Sequence, residues 1–328
     1  MNNNITVIVR SSGERTVRYC RYLLEQQIPK QNICVIEETP FSAALKKGFE
    51  IGIEKGMKWT LCIDADVLVN HDIMNQLIKH AEKSDESIFE IQGLVLDKFI
   101  PIKRPAGNHL YRTSLIDKAI QFIPKEGTSL RPESDMLKKM RDIGYPWKQI
   151  GLIIGIHDFK QYNADIYRKC FLQAHKHSQY ISLLESYWDN EKTDDKDFQV
   201  ALWGVRAGKI YNGDIYVDKN FHAQEIKDIL VIMNCKEKKQ IQRNQFNKSY
   251  VDNIINQHDI KNDWINNLQQ KMFPHSIWNK IHNVKPALHK NYIHLILLHF
   301  ILFYTGSVFE KFGSAFKRIS KYINKPNR

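Results

Sequence analysis

Through its first hundred residues the chain alternates short apolar runs with stretches of helical spacing, and each run ends in a polar turn. Ile5 to Val9 is β-branched and reads as a strand buried on both faces, ending in the turn Arg10-Ser11-Ser12-Gly13-Glu14-Arg15. Helical spacing follows through Val17, Leu23 and Leu24 and closes at Pro29. Ile33 to Ile36 predicts a second strand, and a helix with Leu45, Phe49 and Ile53 on one face begins near Ser42, a candidate N-cap after Pro40. Trp59 to Ile63 predicts a third strand, ending at Asp64-Ala65-Asp66. Strand–helix repeats of this length predict parallel βαβ units, whose ligands lie beyond the carboxyl ends of the strands. The polar turns at 10–15 and 64–66 both fall at such ends.

Further along, Asp72 to Lys83 predicts a helix, Ile88 to Leu96 and Phe99 to Ile102 strands, and Asn108 to Phe122 a strand-like start followed by a short helix. Ser134 to Ile143 has helical packing spacing with Gly144 as its stop. The apolar run Ile150 to Ile156 leads to His157-Asp158, read as the opening of a long helix, and a last strongly patterned helix spans Asp195 to Ala207 with Gly208 as its stop. The expected class is α/β, a mixed, mainly parallel sheet flanked by helices with a C-terminal helical extension. The expected division is an α/β domain over 1–225 in two halves (about 1–100 and about 101–225), a helical appendage over 226–285 rich in Lys, Asn and Gln, and a tail over 286–328.

Charge and cysteine use narrow the partners. The net charge of +12 favours anionic ones. No nucleic-acid reading module is recognisable, and the basic residues of the tail lie beside apolar ones, which points away from nucleic acid. In that tail Phe309, Phe312, Phe316, Ile319 and Ile323 recur at steps of three and four, opposite Lys311, Lys317, Arg318 and Lys321. A basic amphipathic helix of this kind predicts docking on an anionic membrane surface. Cys20, Cys34, Cys62, Cys170 and Cys235 form no C-x-x-C pair, which predicts reduced thiols. The first residues carry no secretory pattern, so the expected location is cytoplasmic, peripheral on the inner face of the cell membrane.

The chemistry concentrates at Asp64-Ala65-Asp66. Two carboxylates around a small residue at the end of a buried strand repel unless a cation compensates, and a hard divalent ion does this while bridging to phosphates. Ile5-Thr-Val-Ile-Val9, the polar turn, Val35-Ile-Glu-Glu38, the Ser42–Lys47 helix start and Cys62-Ile-Asp-Ala-Asp66 resemble the nucleotide-sugar-binding half of GT-A-fold glycosyltransferases, most nearly the family 2 group of bacterial surface polysaccharide biosynthesis. The resemblance continues more weakly through Tyr111-Arg112-Thr113, Pro132-Glu-Ser-Asp135 and His157, and covers roughly residues 4–160.

That resemblance implies a transferase moving a sugar from a nucleotide-diphosphate donor, a UDP-sugar foremost, to a glycan or polyprenyl-diphosphate-linked acceptor, with inversion at the sugar carbon. It implies Mn²⁺ or Mg²⁺ held by Asp66 with Asp64 and His157. Arg10, Glu14, Arg15, Glu37 and Lys46 would bind the donor together with Asp64, and Glu133 or Asp135, with Asp135 preferred, would take the acceptor's proton. The chain departs from the family's pattern in having Arg-Ser-Ser-Gly-Glu-Arg after the first strand and Glu-Glu-Thr-Pro after the second, which leaves the base open. A non-catalytic membrane-attached nucleotide-sugar-binding protein is the alternative reading, a basic nucleic-acid-binding protein a weaker one.

Overall fold

The computed structural model describes residues 4–260 apart from 218 and 221. Its centre is an eight-stranded sheet built from β1 (Ile5–Ser11), β2 (Ile33–Glu37), β3 (Trp59–Asp64), β4 (Val67–Val69), β5 (Glu90–Asp97), β6 (Lys103–Arg104), β7 (Asn108–Arg112) and β8 (Trp147–His157). The strand order is β2-β1-β3-β7-β5-β8-β4, with β6 paired to β5. β1 pairs in parallel with β2 and β3, and β5 with β8; β4, β6 and β7 run the other way. The sheet is therefore mixed, with five strands sharing one direction, and helices cover both faces. The α/β class expected from the alternation is the one the chain forms.

The helices are α1 (Val17–Glu25), α2 (Phe41–Lys55), α3 (Ile73–Glu82), α4 (Ile116–Ile120), α5 (Pro132–Asp142), α6 (Asn163–Lys176), α7 (Ile181–Glu191), α8 (Lys196–Ile210), α9 (Ala223–Ile232) and α10 (Tyr250–Ile260). Every residue of β1 is buried, and its side chains alternate between two apolar clusters. Ile5, Val7 and Val9 join Leu61 and Ile63 against Tyr19, Cys20, Leu23 and Leu24 of α1. Ile8 and Cys62 face the other way, against Ala44, Leu45 and Phe49 of α2. The period of two in the strands thus feeds a helix on each side, which is why the opening run carries no polar face.

Ile241, Val251 and Ile255 are buried in the same cluster as β1, and Phe246 stacks on Tyr19 with ring centroids 4.8 Å apart. The segment after 225 is thus woven into the core as far as it is described. The amphipathic tail lies outside the described residues. Among the described residues no helix is long and apolar enough to cross a membrane. All five cysteines are free, as their spacing predicts.

Several boundaries differ from those expected, each for a local reason. α2 starts at Phe41 with Pro40 at its cap, and the Ser42 hydroxyl donates to Glu126 at 2.7 Å instead of capping. Phe99 to Ile102 is not a strand, because the Asp97 carboxylate accepts the Phe99 and Ile100 amides at 2.9 and 2.8 Å and folds a turn. His157 and Asp158 do not open a helix: Asp158 and Lys160 have φ of 68° and 59°, and α6 begins only at Asn163. Gly208 does not stop α8. It lies inside the helix, where an added Cβ would stand 2.4 Å from the Phe171 carbonyl oxygen; at Gly204, one turn earlier, the distance to Tyr167 O would be 2.3 Å. These glycines let α8 lie directly on α6, the helix that borders the candidate site. Gly208→Ala is expected to destabilise the protein by roughly 1–3 kcal/mol through overpacking, against a propensity gain of only about 1 kcal/mol. A lower urea midpoint at unchanged m-value is the expected readout, and an unchanged midpoint would show that the helices separate freely.

Candidate metal and donor site

Two clusters of charged side chains sit at the carboxyl ends of the co-directional strands, one on each side of Ala65. In the first, Arg10 and Asp64 are register partners at the ends of β1 and β3. The Arg10 guanidinium donates to Asp64 Oδ1 from Nε at 2.9 Å and from Nη2 at 2.7 Å, and from Nη1 to Glu133 Oε1 at 2.6 Å. Glu133, in the first turn of α5, also accepts the Tyr111 hydroxyl at 3.0 Å and lies 3.1 Å from His109 Nε2. His109 Nδ1 in turn meets buried Glu90 at 2.7 Å.

Burial opposes ionisation throughout this chain of groups, and the mutual charges outweigh it at Glu133 and His109. For Glu133 the neighbouring Arg10 and then His109 hold the carboxyl well below the usual carboxylate range despite its burial. For His109 burial pulls the imidazolium down, but Glu133 and then Glu90 push it up to about 10. Burial dominates at Glu90 and raises its pKa.

The second cluster contains Asp66, His157 and Asp158, all buried. β4 and β8 pair antiparallel with Val67 opposite His157, which brings the start of one strand to the end of the other. His157 Nε2 is 3.5 Å from Asp66 Oδ1, and its Nδ1 lies 2.7 Å from Asp97 Oδ2 and 3.3 Å from Asp158 Oδ2. Asp97 is neutralised by Arg104, whose Nη2 is 2.6 Å from Oδ2. Lys169 of α6 pairs with both Asp66 and Asp158. Burial alone would raise the Asp66 pKa, but Lys169 and then His157 bring it down to about 2. Burial alone would lower that of His157, but Asp158, Asp66 and Asp97 lift it to about 9.

Among the described residues this triad is the grouping whose ligand atoms come together, all within 4.8 Å of one another. Two hard carboxylates and one borderline imidazole nitrogen, available once the ring gives up its proton, suit Mn²⁺ and, less closely, Mg²⁺. Asp66 Oδ1 is buried without a hydrogen-bond partner, a vacancy in the bonding pattern that a cation's coordination would fill. The donor set therefore fits the ion.

The structure changes the expected ligand set at one position. Asp64 and Asp66 do not converge: Asp64 is captured by Arg10 across the β1–β3 pair, while Asp66 lies beyond the strand end and turns to β8. Asp158, rather than Asp64, is the carboxylate grouped with Asp66 and His157. Its sequence signal was present in the His-Asp dipeptide after the β8 apolar run, but that dipeptide also looks like a helix start.

The remaining expected residues are dispersed. Glu14 accepts Ser11 Oγ, the Ser12 amide and Ser12 Oγ at 3.0, 2.8 and 2.8 Å, folding the loop after β1 upon itself. Arg15 donates to the Lys239 and Lys160 carbonyls at 2.7 and 2.9 Å, so its guanidinium ties three segments together. Glu37 is exposed at the end of β2, paired in register with Ser11. Lys46 is exposed on α2, with Glu50 at 4.0 Å as its ion-pair partner. Asp135 accepts from Ser129 at 2.6 Å and Lys138 at 2.9 Å, and these bonds lower its pKa. Two positions along a helix are about 200° apart in projection, so the carboxylate that faces Arg10 and the one that faces solvent differ.

No protein-family model matches the chain, and no curated protein matches it. Among solved structures, it is similar to a glycosyltransferase involved in glycosylation of the major capsid of PBCV-1, at 17% identity and a TM-score of 0.33, over 45% of this chain and 81% of that one. It is also similar to the mannosyltransferase PcManGT from Pyrobaculum calidifontis in complex with GDP-Man and Mn²⁺, at 11% identity and a TM-score of 0.39, over 71% of this chain and 81% of that one.

Proposed function

We propose that this protein is a metal-dependent glycosyltransferase that moves a sugar from a nucleoside-diphosphate donor to a glycan or lipid-linked saccharide in surface polysaccharide assembly. The observation that carries the reading is the buried Asp66–His157–Asp158 group at the strand ends, beside the Arg10–Asp64 pair. Asp66, His157 and Asp158 would hold Mn²⁺ or Mg²⁺, which would supply neutralisation of charge on the departing diphosphate. Asp64 keeps Oδ2 beside Gly107, with Oδ1 held by Arg10, so its carboxylate is fixed to accept a hydroxyl of the ribose or sugar. Glu37, exposed at the end of β2 in register with Ser11, would read the base. The basic tail would hold the enzyme at an anionic membrane surface, next to a lipid-linked acceptor.

The test is a panel of UDP- and GDP-sugars with and without Mn²⁺, read as thermal stabilisation. A donor at a hundred times its Kd contributes about 2.7 kcal/mol, a rise in Tm of several degrees. Stabilisation by one donor family only with Mn²⁺ supports the reading, and no metal-linked shift across the panel removes it. A non-catalytic nucleotide-sugar-binding protein is the second reading, favoured by the engagement of both Glu133 and Asp135 in ion pairs. A donor that stabilises the protein yet is neither hydrolysed nor transferred would select it.

A further inference from the structure

The Asp66–His157–Asp158 group already contains a cation of its own. Lys169 lies two turns into α6, and its ammonium reaches Asp66 Oδ2 and Asp158 Oδ1 together. Two of the three candidate ligand residues are thus bridged by a positive charge from the same chain. The bridge is incomplete, since Asp66 Oδ1 remains buried without a hydrogen-bond partner. One ammonium neutralises the pair but cannot serve every oxygen, whereas a divalent ion coordinates several at once. A lysine also differs from a fixed guanidinium in being a point charge on a flexible four-carbon stem, able to swing away without leaving a rigid fork unsatisfied.

Other basic groups stand along the same helix. Arg168, the preceding residue on α6, has a buried Nε with no partner. Arg131, just before α5, donates to the Lys176 carbonyl at 3.2 Å and stands 3.3 Å from His177 Nε2, so the far end of α6 meets a second basic element. Positive side chains therefore gather along the helix that carries Lys169, which suits an anionic ligand beside the carboxylates.

We propose that Lys169 is a resident counter-cation that is exchanged for the divalent ion: its ammonium holds Asp66 and Asp158 until the metal takes those carboxylates, and it then turns to the phosphate oxygens of the donor. This rests on the reading of the site as a cation and donor-diphosphate centre. It makes the metal compete with a tethered charge, so the ion alone binds weakly. It also makes the donor an aid to metal binding, because the phosphates accept the displaced ammonium.

The experiment uses the full-length protein. Mn²⁺ binding is measured by calorimetry for wild type, Lys169→Met and Asp66→Asn, and Lys169 acylation in the wild type is followed by peptide mass spectrometry with and without Mn²⁺, Lys46 serving as an exposed reference. Lys169→Met is expected to bind Mn²⁺ alone at least tenfold more tightly, and Mn²⁺ is expected to raise Lys169 acylation severalfold while leaving Lys46 unchanged. Equal or weaker Mn²⁺ affinity in folded Lys169→Met overturns the exchange while leaving the metal site in place. Should that variant not fold, the wild-type acylation decides alone, and unchanged or reduced labelling at saturating Mn²⁺ overturns the exchange. Uptake of Mn²⁺ by neither protein removes the cation reading itself, and the exchange with it.

Discussion

Asp66→Asn is expected to abolish measurable donor turnover while leaving the protein folded. The substitution keeps size and one acceptor oxygen but removes the charge that draws a cation to the triad. Metal stabilisation of a leaving diphosphate is worth several kcal/mol, and a loss of about 4 kcal/mol is about a thousandfold in rate. The loss should appear in kcat/KM and in Mn²⁺ affinity together, because the same oxygen atoms serve both. Folding should suffer less, since Asp158 still pairs with Lys169 and His157 still meets Asp97. Asp64→Asn separates the two aspartates. It weakens the Arg10 pair and should raise the KM for the donor, with Mn²⁺ affinity within about threefold of wild type, because Asp64 lies outside the metal group. If Asp64→Asn lost Mn²⁺ as fully as Asp66→Asn, the separation seen at the strand ends would not describe the protein in solution.

The contrast between these two aspartates also marks where sequence reading stops. The opening strands were legible because an unbroken apolar run has one stable place, the centre of a sheet covered on both faces, and Ile5 to Val9 lies there. The position of Asp64 and Asp66 at a strand end followed from the same alternation, whereas His157 was read as a helix start. Which of them meet did not, because that depends on the antiparallel return of β4 onto β8, and β4 has only three residues. Asp158 was hidden by its left-handed backbone, which the dipeptide His-Asp does not announce. His109 and Glu90 were missed because each is a lone titratable side chain in a strand, where it gives no periodic signal. Glu133 was recognised as an acid near a helix start, but its partner Arg10 is 123 positions away. Local patterns place charges near a strand end or helix start, whereas pairing between them is set by tertiary contacts.

That long-range pairing leads to the second large effect, at Glu133. Removing it by Glu133→Ala leaves Arg10 and His109 buried with one fewer counter-charge, and breaking a buried ion pair from one side costs about 3–5 kcal/mol. Such a loss approaches the whole stability of an ordinary domain. A carboxyl held so far below its usual range is also a poor proton acceptor near neutral pH, so the structure favours Glu133 as a positioning residue for Arg10. Donor binding and stability should therefore fall together in Glu133→Ala, and Glu133→Gln should recover part of both by keeping an acceptor for Tyr111. The pH dependence follows from the same contacts. His109 rises from 6.5 to about 10 on folding, so its contribution is complete below about pH 6.5 and is lost as pH climbs through about 10. His157, lifted to about 9, loses its share over the lower part of that window. Glu133 acts in the opposite direction: its contribution is present above its ordinary 4.5 and disappears as pH falls below that value. Glu90, raised by burial, gives stability that declines as pH rises from its ordinary 4.5 through its own elevated pKa, opposite in sign to Glu133. Each histidine released contributes a slope of up to about 1.4 kcal/mol per pH unit. Urea unfolding measured from pH 6.5 to 9 should show stability falling steadily, and His109→Gln should reduce that slope by roughly half while lowering stability at pH 6.5. A slope in His109→Gln as steep as in the wild type would mean that His109 is neutral in the folded protein, and the ion chain from Asp64 to Glu90 would then be broken between Glu133 and Glu90.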